Sequence, residues 1–201
     1  MRITEETLTT MDACAPGEDW FNELFPNGIE CDWTLKHQMM LLSDLRGREY
    51  FGWAVVAGLL PMWCMAGLKL RRVDLSWSHI VGANLYGTDL SRANLSRADL
   101  SRTDFRKANL EGANLIKTNL TGADLREANL KDADLRGAYI TRANFRGANL
   151  KNADLREADL TGADLTEANL DGANLGGANL TRVKLGKWTV GHGGFARLTE
   201  T

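Results

Sequence analysis

The chain has 201 residues, enough for one sizeable domain or for a repeat array with a small attachment. Its 24 Lys and Arg nearly balance 26 Asp and Glu, so overall charge selects neither a nucleic acid nor a membrane as partner. Three cysteines (Cys14, Cys31 and Cys64), odd in number and without C-x-x-C spacing, speak against a disulfide framework or a zinc site and read as reduced thiols.

The first residues, MRITEETLTTMDACAPGEDW, are polar and acidic, unlike a signal or transit peptide, and a cytoplasmic protein is expected. Short helices are expected at about 4–13, 18–24, 35–44 and 48–60. Trp20, Phe21, Leu24, Phe25, Trp33, Leu41, Leu42, Phe51 and Trp53 supply a small core for them. The stretch 50–68, YFGWAVVAGLLPMWCMAGL, holds nineteen residues without a charge, the lower bound for a membrane span. Pro61 interrupts it, so a buried helix stopped by that proline is the reading adopted, and no membrane partner is expected. Residues 1–66 are therefore expected to form a helical cap. Charge marks nearly the same boundary: residues 1–70 carry 5 basic and 10 acidic side chains, whereas 71–187 carry 18 and 15.

From residue 71 the sequence becomes periodic. Apolar centres recur every five residues from Leu75 through Ile80 and Leu85 to Leu185, giving 23 consecutive pentads, with Phe105, Ile140 and Phe145 among the variants. Two residues before the centre stands Ala in 17 pentads; between the two stands Asn or Asp in 20, with His79, Tyr139 and Lys184 the exceptions. A helix cannot use this spacing, because five residues advance about 500° and scatter the leucines round the axis. A straight strand fails too, because an odd period sends successive leucines to opposite faces. If the chain turns a corner after each centre, however, every pentad points its Ala and Leu inward, and the result is a solenoid.

A second period counts the sides. Thr121, Thr141, Thr161 and Thr181 recur at twenty, as do Arg106, Arg126 and Arg146, while Phe105 and Phe145 stand forty apart. Four pentads then make one coil of square section, and about six coils at about 4.8 Å each make a rod of roughly 27 Å. Asn and Asp are expected to bond backbone at the corners. Gly fills the second place after the centre in nine pentads, as at Gly122, where a type II turn needs positive φ. Arg, Lys or Glu fills that place in others, so a mixture of turn types is expected.

Both ends of such a stack need covering. Leu70 and Leu68 continue the pattern backwards, and Met65 with Trp63 extend it further. At 188–201, Trp188, Val190 and Phe195 suggest a short lid before a flexible tail, with the glycine run at 191–194 as loose chain.

The tandem A-D/N-L-x-x pattern over about 71–187 resembles the pentapeptide repeat family. That resemblance implies a mainly β fold, a right-handed quadrilateral β-helix over 67–187. The phrase GEDWFNELFPNG resembles an element found at the start of some repeat-bearing bacterial proteins.

No catalytic constellation, metal site or cofactor site is evident: His37, His79 and His192 lack ligand spacing, and no nucleophile elbow or P-loop occurs. No small-molecule substrate is expected. What remains is surface. The two corner places carry 17 basic and 6 acidic residues between Arg71 and Lys187. Stacking concentrates Arg106, Arg126 and Arg146 in one ladder and Arg136 with Arg156 in another, with Glu127, Glu157 and nearby aspartates partly neutralising them. These ladders are candidate contacts for an anionic macromolecule, a protein above all. The Thr column reads as turn hydroxyls, not as an ice-binding row. The expectation is a non-enzymatic binding or scaffold protein, with a homodimer through a solenoid end as a further possibility. The alternative implied by the resemblance is a DNA-mimicking modulator of DNA gyrase and type II topoisomerases, which the net positive repeat region disfavours.

Overall fold

The structure is a computed structural model and describes residues 66–198 together with the backbone of 2–3 and 29–30. The chain divides into two units, Met1–Pro61 and Met62–Thr201. In the first unit, β1 (Arg2–Ile3) pairs antiparallel with β2 (Ile29–Glu30), Arg2 opposite Glu30 and Ile3 opposite Ile29. The helices expected at 4–13, 18–24, 35–44 and 48–60 lie outside the described residues, as do Trp63, Met65 and most of the uncharged stretch 50–68. Among the described residues no helix is long and apolar enough to cross a membrane.

The second unit obeys the two periods. Parallel bridges join residues twenty apart, from Lys69 with Asp89 to Asp164 with Lys184. One coil is thus four pentads, and residues twenty apart lie on neighbouring coils. The four sides are identified here by their centres. The first side runs Leu75, Leu95, Leu115, Leu135, Leu155 and Leu175; the second Ile80, Leu100, Leu120, Ile140, Leu160 and Leu180. The third runs Leu85, Phe105, Leu125, Phe145, Leu165 and Leu185; the fourth Leu90, Leu110, Leu130, Leu150 and Leu170.

The pentads from Leu90 to Leu160 repeat the same bonds. Leu95 N–H donates to Asn114 O at 2.8 Å, Arg97 N–H to Ile116 O at 2.9 Å, and Ala98 N–H closes the corner onto Leu95 O at 3.1 Å. Asn94 N–H reaches back to Val73 O at 2.9 Å, so both edges of a coil are occupied by its neighbours. The centres from Leu75 to Leu175 and the alanines between them are buried, with Phe105 and Phe145 enclosed on the third side. Leu68 and Leu70 are buried as well, so the stack begins before the first complete pentad. Where Thr replaces Ala inside, its hydroxyl is satisfied: Thr103 Oγ1 donates to Ile80 O at 2.8 Å and Thr118 Oγ1 to Leu95 O at 2.7 Å.

The expected mixture of turns is not what forms. Every second corner residue from Gly67 to Arg182 has positive φ, including Arg102 at 58°, Lys117 at 55° and Glu157 at 60°. A corner closed by the same bond, with left-handed backbone only at its second central residue, matches type II throughout. Stacking explains the uniformity: that residue's N–H must meet the next coil's carbonyl, and a different turn would break the bond. The array imposes a left-handed residue at about 1–2 kcal/mol per non-glycine position.

The C-terminal edge is closed by a hairpin. Strands β3 (Trp188–Val190) and β4 (Ala196–Leu198) pair antiparallel, Val190 opposite Ala196. Trp188 is buried and donates from Nε1 to Ala168 O at 2.8 Å. The glycine run read as loose chain is instead the turn of this hairpin. Leu175 N–H donates to Gly194 O at 2.6 Å and Ala196 N–H to Ala173 O at 3.1 Å, so the returning chain occupies the edge of the first side. Gly194 packs so closely on the Gly176 backbone that a Cβ there has no room. Phe195, expected as part of the lid, is half exposed at 48%. Residues 199–201 lie outside the described residues.

Candidate functional site

The surface is built from the Asx place and the two corner places of each pentad. Asn or Asp accepts the backbone N–H two residues on, as Asp74 Oδ1 does from Ser76 at 2.9 Å and Asn119 Oδ1 from Thr121 at 3.1 Å. Asparagines also climb from coil to coil on the fourth side: Asn109 Nδ2 donates to Asp89 at 3.1 Å, Asn129 to Asn109 at 3.0 Å and Asn149 to Asn129 at 3.0 Å. The expectation of side-chain bonding at the corners therefore has this concrete form.

The first corner place lies directly over the Asx group, and that decides the fate of the arginine ladders. Arg106 forks onto Asp104, Nε to Oδ1 at 2.9 Å and Nη2 to Oδ2 at 2.7 Å. Arg126 forks in the same way onto Asp124, Arg136 onto Asp134 and Arg156 onto Asp154. The Asp124 carboxylate also lies 3.8 Å from Arg106, and Asp154 3.8 Å from Arg136, so the rows cross-link neighbouring coils. Arg146 has Asn144 beneath it and turns to Glu167 at 3.2 Å. The Arg106 side-chain hydrogen bond holds the Asp104 carboxyl below its ordinary range, and Arg156 does the same for Asp154. Both rows are thus carboxylate–guanidinium rows, not free positive stripes. A shallow groove of about 230 Å³ runs along Tyr86, Arg106, Lys107, Arg126 and Glu127, and one of about 290 Å³ along Ile116, Lys117, Arg136, Gly137, Arg156 and Glu157.

The second corner place behaves otherwise. Its backbone is left-handed, and its side chain leans over the same place in the next coil. A Cβ added to Gly122 would lie 3.9 Å from Arg102 Cγ, and one on Gly162 3.7 Å from Arg142 Cγ. The corner after the second side reads Val81-Gly82, Ser101-Arg102, Thr121-Gly122, Thr141-Arg142, Thr161-Gly162 and Thr181-Arg182. No carboxylate occupies any of these places, whereas each of the other three corners carries at least one. Among the described residues Arg102, Arg142 and Arg182 are exposed and make no ion pair or side-chain hydrogen bond. Acidic groups flanking this corner pair with other residues than its arginines: Asp104 and Asp124 with Arg106 and Arg126, Asp164 with Lys184 at 3.5 Å, and Asp159 with the corner's own Thr161 hydroxyl at 2.6 Å. Asp99 accepts from Asn119 at 3.0 Å and faces His79 at 3.6 Å. The expectation that singled out Arg106, Arg126, Arg146, Arg136 and Arg156 passed over this set, although the T-G, T-R alternation at twenty-residue spacing was its signal.

Exposed aromatics divide in a similar way. Trp77 has the Arg97 guanidinium 4.7 Å from its ring centroid and Tyr86 has that of Arg106 at 5.6 Å. Tyr139, an exception at the Asx place of the second side, is 58% exposed, and among the described residues no cation lies over its ring. Among the described residues no group of three or more His, Cys, Asp or Glu is placed to hold a metal ion.

The pentapeptide-repeat profile matches residues 69–106, 103–142 and 143–182, in eight copies. Among solved structures, HetL is a pentapeptide repeat protein involved in heterocyst differentiation regulation from the cyanobacterium Nostoc sp. strain PCC 7120. It is 32% identical over 66% of this chain and 78% of its own, with a TM-score of 0.36. Rfr23, a pentapeptide repeat protein from the cyanobacterium Cyanothece 51142, is 32% identical over 53% of this chain and 90% of its own, with a TM-score of 0.35. QnrB1, a plasmid-mediated fluoroquinolone resistance protein, is 22% identical over 62% and 87%, with a TM-score of 0.36. No curated protein matches the chain.

Proposed function

The chain belongs to the pentapeptide repeat family, and from that premise we propose that it is a non-enzymatic binding and scaffold protein of the cytoplasm whose repeat surface engages another macromolecule. The same membership supports a right-handed quadrilateral winding of about six coils; the apolar pattern of residues 1–66 is the ground for reading them as a helical cap. The observation that carries the functional reading is the rigidity of the corner rows. Each pentad from Leu70 to Leu165 is tied to the next coil by backbone bonds of about 2.7–3.1 Å, so corner side chains stand at a fixed repeat of about 4.8 Å. Such a lattice presents groups at regular distances with little ordering left to do on binding, which favours recognition of a partner with its own regular spacing. The rows of Arg106, Arg126 and Arg146 and of Arg136 and Arg156 are part of that surface as paired charges. A gyrase modulator that mimics DNA requires a negative rod, and corners with 17 basic against 6 acidic residues do not make one.

A pull-down from the native host tests the reading, using the full chain and a variant with Arg106, Arg126 and Arg146 changed to Glu. One specific partner retained by the wild type is expected. Turnover of a substrate, abolished by a single substitution in the chain, overturns the reading, as does the absence of any specific partner.

A further inference from the structure

We propose that the second side and its closing corner form a docking track for an acidic polyproline-type peptide segment, with Arg102, Arg142 and Arg182 reading its carboxylates and Tyr139 its apolar ring surface. The proposal rests on the scaffold reading and names the surface and the partner class.

Three observations converge on this one strip. It is the only corner among the described coils without a carboxylate, and its three arginines have no partner among the described residues, so their charge is available outward. It borders Tyr139, the one exposed aromatic of the described coils with no guanidinium over its ring. Its hydroxyls continue the strip between the arginines: Thr121 and Thr141 share a hydrogen bond at 3.1 Å, and the hydroxyl that accepts in it keeps its own hydrogen to donate to a partner backbone carbonyl. Tyr and Arg together are the residue types that anchor protein interfaces.

The spacing selects the partner. Arginine occupies every second coil, with Gly122 and Gly162 between, so the charges repeat at twice about 4.8 Å, or about 9.6 Å. A polyproline helix advances about 3.1 Å per residue and returns to the same face every third residue, about 9.3 Å. Acidic residues three apart on such a segment therefore keep step with all three arginines. A flat strand repeats a face at about 6.7 Å or about 13 Å. An α-helix repeats one at about 10.5 Å over seven residues and drifts by about 1 Å per step. A single-stranded nucleic acid has a phosphate at every nucleotide and would be matched by a cation on every rung, but three of the six rungs carry glycine. Polyproline segments also bind on exposed aromatic faces, the role assigned to Tyr139.

The test uses the full chain and fluorescence anisotropy with a labelled Glu-Pro-Pro-Glu-Pro-Pro-Glu-Pro-Pro peptide. The comparison ligands are a peptide of the same composition with its three Glu consecutive and an oligo-dT of equal charge. One variant carries Arg102→Gly, Arg142→Gly and Arg182→Gly; another carries Tyr139→Asn. All four substitutions install residues the repeat itself uses at those places, so folding is kept. A control removes the same charge from the corner after the fourth side by Arg92→Gly, Lys131→Ser and Lys151→Ser. Saturable binding of the spaced peptide is expected, weakened about tenfold or more by the glycine triple and severalfold by Tyr139→Asn, and little changed by the control triple. Three results overturn the track: no binding of the spaced peptide, equal loss in both triples, or preference for the consecutive-Glu peptide or the oligonucleotide. A host partner still captured by the glycine triple while the peptide fails to bind removes the track but leaves the scaffold reading standing. Absence of any partner removes the scaffold reading itself.

Discussion

Arg102 and Arg106 stand four residues apart on adjacent corners of one coil, yet one is free and the other is locked. The difference is their place in the turn. Arg106 comes first after its centre and sits over Asp104, two residues back in its own pentad, with which it makes a two-pronged pair. Arg102 comes second, on left-handed backbone, and leans toward Gly122 of the next coil, where no carboxylate waits. The same comparison holds along the stack, between the row of Arg106 and Arg126 and the row of Arg102, Arg142 and Arg182. In this array, whether a charge is spent inside the fold or shown to solvent is decided by a shift of one residue.

The largest effect expected from that difference comes from replacing glycine at the second place. Gly122→Val and Gly162→Val put a β-branched residue at φ of 66° and 69°, with its Cβ in ordinary contact with the Arg102 and Arg142 stems. Each is expected to destabilise the protein by about 2 kcal/mol in urea unfolding, because left-handed backbone alone costs about 1–2 kcal/mol and branching adds to it. Thr121→Val, one residue earlier, is expected to change stability by no more than about 0.5 kcal/mol. Equal losses at 121 and 122 would remove the distinction between the two places.

A smaller effect of opposite sign is expected for the free arginines. Arg102→Gly, Arg142→Gly or Arg182→Gly relieves left-handed strain and breaks no pair. The greater freedom of glycine in the unfolded chain offsets part of the gain, leaving a net stabilisation of a few tenths to about 1 kcal/mol each. Glycine at 106 or 126 relieves no strain and breaks a fork, so a lower urea midpoint is expected. A glycine series that destabilises both places alike would show that the free arginines do have partners that hold the stack.

These distinctions explain what could be read in the sequence and what could not. The two periods, five and twenty, led directly to four-sided coils, because an Ala–Leu pair two residues apart shares a face only if the chain turns after each pair. The backbone bonds of Asn and Asp were legible for the same local reason. Turn uniformity was not, because Arg102, Lys117 and Glu157 have no preference for positive φ; coil-to-coil bonding overrides what each residue favours alone. The arginine ladders were visible as columns, but counting columns does not tell whether the carboxylate two residues back reaches the guanidinium. The free row hid for the mirror reason, since its arginines alternate with glycine and look sparse in sequence. The β1–β2 pairing left no trace at all: two residues on each side are too few to show a period.

The smallest effect concerns acid. Asp104 and Asp154 are held below the ordinary carboxyl range, first by the side-chain hydrogen bonds of Arg106 and Arg156. A carboxyl whose folded pKa is depressed binds protons less readily than in the unfolded chain. Its contribution to stability is therefore complete above its unfolded pKa of about 4 and is lost as pH falls through the lower folded value. The free row has no carboxylate partner and adds nothing to that acid limb. Urea midpoints measured from about pH 6 to about pH 2.5 should fall less steeply below about pH 4 in an Asp104→Asn, Asp154→Asn variant than in the wild type. The triple Arg102→Gly, Arg142→Gly, Arg182→Gly variant should keep the wild-type slope. Added salt should shrink the difference in slope, because the pairs lie at a partly exposed surface. If the glycine triple flattened the acid limb and the asparagine pair did not, the free and locked assignments would have to be exchanged, and with them the surface expected to meet a partner.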